Sequence, residues 1–227
     1  KTNNEKIKNF LPLVDHSFIT TNPDCLNISK KYIKNVHFLM TPVDKNIECF
    51  DVYNHKPEND LFYAMSHGVN RAKLKAGKID NRVIFLKKLI NKIKDIKYDF
   101  YGFEKQEPVW GNEFYKSLLN SKMALNLSRG EPIKHYSSNR IASLMGNGLL
   151  VFIDKKVKMN DFFNSKEIIS YNNIDDLADK IKFYSRYDKL RISIAKNGKD
   201  KYFKLFNETR VSKYLIDASL GKNTSLF

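Results

Sequence analysis

Two cysteines, Cys25 and Cys49, are all that 227 residues contain. They cannot build a disulfide framework, and they lie too far apart for a redox or zinc pair, so a reducing, cytoplasmic setting is expected. Long apolar runs are missing as well. The densest strings, such as Leu149-Leu-Val-Phe-Ile153, fall far short of the roughly 18 residues a spanning helix needs. A soluble chain is expected, with at most peripheral contact with an anionic membrane at its inner face. No grouping of His, Cys, Asp and Glu has metal-ligand spacing, so neither an essential metal nor another cofactor is expected. A dinucleotide-type Gly-x-Gly-x-x-Gly is lacking too. The opening Lys1-Thr-Asn-Asn-Glu-Lys6 shows no signal peptide and reads like the middle of a longer protein.

Acidic residues are the short side of the charge balance, with 25 Asp plus Glu against 40 Lys plus Arg and a formal net charge of +15. That surplus suits phosphate-bearing ligands, nucleic acid or an anionic surface. The lysines are spread from end to end instead of forming a block, which favours a solvated basic surface. They build no interleaved basic and aromatic platform, so nucleic acid is not an expected partner; a basic nucleic-acid-binding module is the rival reading.

What the chain does have is alternation. Short apolar strings, Ser17–Thr20, Val36–Leu39, Leu61–Met65, Tyr98–Tyr101, Met123–Leu127, Leu149–Ile153 and Glu167–Tyr171, are separated by amphipathic stretches. These predict helices near 25–34, from about 81, around Phe114 to Leu119, and over 138–146, 174–186, 188–205 and 207–218. Strands joined by helical crossovers form a parallel sheet covered on both faces. The fold class is therefore α/β, a Rossmann-like parallel sheet flanked by helices, with a partial remnant of a second α/β domain. Pro42, Pro57 and weak periodicity over 41–60 mark a hinge, and the tail after Gly221 is expected to be loose.

The stretch Asn126 to Ile153 is the most informative, because strand, charged loop, serine-capped helix and strand follow without a break. Ser137 and Ser138 stand where the helix begins. Their hydroxyls, with the backbone donors of Asn139, Arg140 and Ile141, suit a phosphate, and a nucleotide is implied; ordinary capping uses the same donors. Arg140 lies in the first turn, where a cation opposes the helix dipole and calls for an anion, either a ligand or a carboxylate such as Glu131. In the loop after the Leu61 strand, Gly68 allows close backbone approach, and His67, Arg71 and Lys73 add cations. Glu131, beside Arg129 and Lys134, fits either a sugar contact or a loop ion pair. Trp110 and Tyr101 fit a base or the core, with the core favoured.

Three segments give the chain a family likeness. Phe62-Tyr-Ala-Met-Ser-His-Gly68, Ser138-Asn-Arg-Ile-Ala-Ser-Leu-Met-Gly-Asn-Gly-Leu-Leu-Val-Phe-Ile-Asp154, and Ile174 to Tyr184 with Leu190 to Gly198 resemble the donor-binding half of a GT-B glycosyltransferase of the group 1 type. The resemblance implies 1–41 as the end of an acceptor-side domain, 42–205 as the nucleotide-sugar donor-binding domain and 206–227 as a carboxyl-terminal helix and tail. It implies a nucleotide-sugar donor, and a glycan or lipid-linked acceptor in polysaccharide or lipopolysaccharide synthesis. It also implies a catalytic Glu131 steering the sugar, and donor contacts from His67, Gly68, Arg71, Lys73, Ser137, Ser138, Asn139, Arg140 and Ser143. One departure stands out. Many relatives carry Glu, seven residues and a second Glu, the second on the ribose; here Asn139 follows Glu131 at that spacing, and alignment through Arg140 brings Ser143 to the position. A catalytically silent relative is the alternative that this departure suggests, and the isolated piece is expected to bind donor and transfer nothing.

Overall fold

A computed structural model describes residues 9–25, 33–66 and 80–226. The helix expected near 25–34 falls mostly outside these residues, and the loop carrying His67, Gly68, Arg71 and Lys73 does so entirely.

Helix α1, Asn81–Lys92, illustrates how pattern becomes structure. Asp80 caps it by accepting the Arg82 N–H at 3.0 Å, and the same carboxylate pairs with the buried Arg82 guanidinium at 2.7 Å. Leu86 and Leu89 turn inward while Lys87 and Lys88 stay exposed. The later helices follow the same logic. They are α2 (Gly111–Leu119), α3 (Asn139–Gly146), α4 (Ile174–Arg186), α5 (Asp188–Phe206) and α6 (Glu208–Ser219).

The main sheet has five parallel strands. In chain order these are β3 (Asn59–Ala64), β4 (Tyr98–Tyr101), β5 (Ser121–Asn126), β6 (Leu150–Asp154) and β7 (Ile169–Tyr171), lying in space as β4-β3-β5-β6-β7. Their side chains alternate between two buried faces. Phe62, Ala64, Ala124, Val151 and Ile153 pack with Ile141, Leu144, Tyr202 and Phe206 on one face. Leu61, Tyr63, Met123, Leu125 and Phe152 pack with Leu86, Leu89, Leu177 and Ile181 on the other.

A smaller parallel sheet pairs β1 (His16–Ile19) with β2 (Asn35–Phe38). The chain runs between the two sheets in both directions, and the two crossings lie side by side. The Val43 N–H donates to the Phe206 carbonyl and the Glu208 N–H to the Val43 carbonyl, both at 3.0 Å. The Tyr202 hydroxyl, fully buried, donates to the Thr41 carbonyl at 2.8 Å. Helix α6 then returns to the small sheet, setting Tyr214 edge-on to Phe18. Near the end of the tail, Leu226 is 2% exposed, and the Arg210 guanidinium donates twice to its carbonyl, at 3.1 and 3.3 Å.

Candidate functional site

The strand order reverses between β3 and β5. From β3 the chain moves outward to β4, then returns past β3 to β5 and continues the other way. At such a point the connecting segments diverge and leave a crevice beyond the carboxyl ends of the strands. Arg140 bridges this place. Its Nη1 donates to the carbonyl of Leu127, just past β5, at 2.8 Å, and its guanidinium carbon lies 5.2 Å from the centre of the Tyr63 ring on β3. The Tyr63 hydroxyl reaches the same Leu127 carbonyl at 3.3 Å. A carbonyl and a π face thus position the cation, where a carboxylate from Glu131 was one expectation.

Beside Arg140 lies a cavity of about 660 Å³, walled by Ala64, Met65 and Ser66 after β3, Val109 to Gly111 with Phe114 and Tyr115 of α2, and Ser138, Asn139, Arg140 and Ser143 of α3. Ser138 is the N-cap of α3, with extended backbone and no capping bond from its side chain. The Ile141 N–H turns back to the Ser138 carbonyl at 3.1 Å. Asn139 and Arg140 open the helix at positions whose amides have no acceptor within it, so donors and dipole face the cavity together.

The other expected residues divide clearly. Ser137, expected as a donor contact, packs away from the cavity. It is 1% exposed, its N–H donates to the Thr20 carbonyl at 2.8 Å, and its hydroxyl donates to Thr41 Oγ1 while accepting the Thr41 N–H, both at 3.1 Å. It ties α3 to the small sheet and lines neither this cavity nor the one beside it. Glu131 stands exposed on its loop and lines neither cavity, the chain having turned at Gly130 with φ at 75°. Trp110, favoured as core, is instead 64% exposed and walls the cavity. Tyr101 is no part of that wall; its hydroxyl donates to Asp99 at 2.7 Å.

Ser143 belongs to both the first cavity and an adjoining one of about 460 Å³. Across from it lies a residue the sequence did not flag. Glu48, from the hinge, is 6% exposed, and its Oε1 is 3.5 Å from the Ser143 hydroxyl. Burial raises its pKa, while the Asp44 N–H and Ser143 hydroxyl work against that rise. Another contact nearby is structural. His135, at φ 59°, meets Asp161 with Nε2 and Oδ2 2.7 Å apart, fastening the β5–α3 loop to the segment after β6. Among the described residues, no group of three or more His, Cys, Asp and Glu is placed to hold a metal ion, and no helix is long and apolar enough to cross a membrane.

Comparison with known proteins gives a family and a fold. The family model described as glycosyl transferase-like matches residues 82–217. No curated protein sequence matches the chain. Among solved structures, sucrose-phosphate synthase from Thermosynechococcus elongatus superposes with a TM-score of 0.63 at 10% identity, over 97% of this chain and 61% of that one. TarM from S. aureus, in complex with UDP among other ligands, gives 0.67 at 13% identity, over 96% and 46%. HepE from Anabaena, in complex with UDP and glucose, gives 0.63 at 9% identity, over 97% and 67%. The chain therefore spans roughly half to two thirds of the length of these structures.

Proposed function

This chain belongs to the glycosyl transferase-like family and has the GT-B fold, and from that premise we propose that it holds the nucleotide-sugar donor of a glycosyltransferase. The observation carrying this reading is the meeting of Arg140 with the open start of α3 at the strand-order reversal. There the diphosphate accepts the Asn139 and Arg140 amides and the Ser138 hydroxyl, with the guanidinium alongside. The base lies toward Trp110, whose exposed face walls the same cavity. UDP in HepE and TarM, proteins of like fold, supports a nucleoside diphosphate as the recognised group.

Transfer requires what this place offers. As the sugar leaves, negative charge builds on the phosphate oxygens, and a donor fixed there in advance contributes about 3 to 4 kcal/mol to the transition state. The donor contacts that the resemblance implies for His67, Gly68, Arg71 and Lys73 lie outside the described residues, and this reading does not depend on them. Glu131, outside both cavities, is left out of it.

The chain spans only 46–67% of the structures it resembles, and in this reading residues 1–227 by themselves bind donor and transfer nothing. In the complete enzyme the acceptor is a glycan or lipid-linked saccharide of polysaccharide synthesis, and the net charge of +15 suits one presented at an anionic membrane face.

Calorimetry with UDP, GDP and ADP tests the donor site. At least one should bind, and Arg140→Ala should weaken it by about tenfold or more, the loss of one charge-assisted contact. Absence of binding by the folded chain, or unchanged affinity in the variant, overturns the reading.

A further inference from the structure

Glu48 comes from the crossing between the sheets, far in sequence from α3, yet its side chain is held against that helix. Its N–H donates to the Asp44 carbonyl at 2.7 Å, and its Oε2 accepts the Asp44 N–H at 2.9 Å, so a tight turn aims it. On α3, Gly146 makes room: a Cβ there would lie 2.6 Å from Glu48 Cγ and 2.8 Å from its Cβ. Glycine disfavours helix by about 1 kcal/mol relative to alanine, and at this position it admits the glutamate.

One oxygen of this carboxylate is poorly served. Among the described residues its donor at Oε1 is the Ser143 hydroxyl, at a long 3.5 Å. A carboxylate this buried calls for stronger donors. Ser143, Asn139 and Tyr115 wall both cavities, so the space beside Glu48 adjoins the one at the start of α3. Ser143 lies one turn, roughly 6 Å, along the helix from Asn139, about the step from a diphosphate to the sugar that carries it.

We propose that Glu48, with the Ser143 hydroxyl, accepts the 2′- and 3′-hydroxyls of the donor's ribose and so selects ribonucleotides over 2′-deoxyribonucleotides. This rests on the donor-site reading above. Two hydroxyl donors supply what Oε1 lacks, and a 2′-deoxy ligand leaves the carboxylate underserved, which is the condition under which a polar site discriminates most strongly.

The experiment is calorimetry on the full chain with whichever of UDP, GDP and ADP binds tightest and with its 2′-deoxy form. The wild type should favour the ribose form by about tenfold or more, and Glu48→Gln should reduce that preference to less than about threefold. Glu48→Asp withdraws the carboxylate by one methylene while keeping its charge, and gives the same readout if the Gln variant folds poorly. Equal wild-type affinity for the two ligands, or a preference that survives in the folded variants, overturns the proposal while leaving the donor site standing. Failure of every nucleoside diphosphate to bind the folded wild type removes the donor-site reading and this inference together.

Discussion

Gly146 and Glu48 fit one another so closely that a β-carbon on the glycine would lie 2.6 Å from the Cγ of the glutamate. That contact joins the end of α3 to the crossing from the small sheet. Gly146→Ala should therefore destabilise the protein by about 1 to 3 kcal/mol, overpacking outweighing the gain in helix propensity. Denaturant unfolding of the two proteins measures this, and an alanine variant as stable as the wild type would show that Glu48 is easily displaced.

His135 and Asp161 bear on acid stability. The hydrogen bond from His135 is the main reason the Asp161 carboxyl lies below its ordinary value. A carboxyl with a depressed folded-state pKa contributes stability that is present above its unfolded value, about 3.9, and lost as the pH falls through the folded one. Asp161 is nearly half exposed, so solvent screening keeps the contribution small. Thermal melts of wild type and Asp161→Asn should differ most near neutrality and converge below about pH 4. A constant gap across that range contradicts the assignment.

Trp110 is the only tryptophan in the chain, and it stands exposed in the wall of the cavity. A base stacking on it should change the intrinsic fluorescence on titration with the bound nucleoside diphosphate, and Trp110→Leu should weaken binding by roughly 1 kcal/mol or more. Unaltered emission at saturating ligand would place the base elsewhere.

Much of this architecture was legible in advance because a parallel sheet writes itself as short apolar strings between amphipathic helices. The helix expected over 174–186 is α4 as observed, and the β4 string was likewise matched. The site was less legible. Arg140 could be placed at the start of a helix, but its anchors, Tyr63 on β3 and the Leu127 carbonyl just past β5, are brought together by the sheet order. Ser137 and Ser138 are indistinguishable by residue type, yet one is sealed against Thr41 and the other stands at the N-cap position on the cavity edge with no capping bond of its own. Trp110 misled because large aromatics usually bury themselves. The missing acid at Ser143 read as a loss, while the carboxylate of Glu48 lies 3.5 Å from that hydroxyl. Only a weak signal pointed there, a glycine late in a helical pattern. Glu131 shows the converse: motif spacing suggests a sugar contact, while the side chain stands exposed and outside the cavity wall.

The most direct measurement is the change in backbone amide resonances when a nucleoside diphosphate is added to the isotopically labelled chain. The largest shifts should fall on Ser138, Asn139 and Arg140, with smaller ones at Ser66 and the Trp110 indole. Saturable binding that leaves the start of α3 unmoved and perturbs a different face would contradict the account.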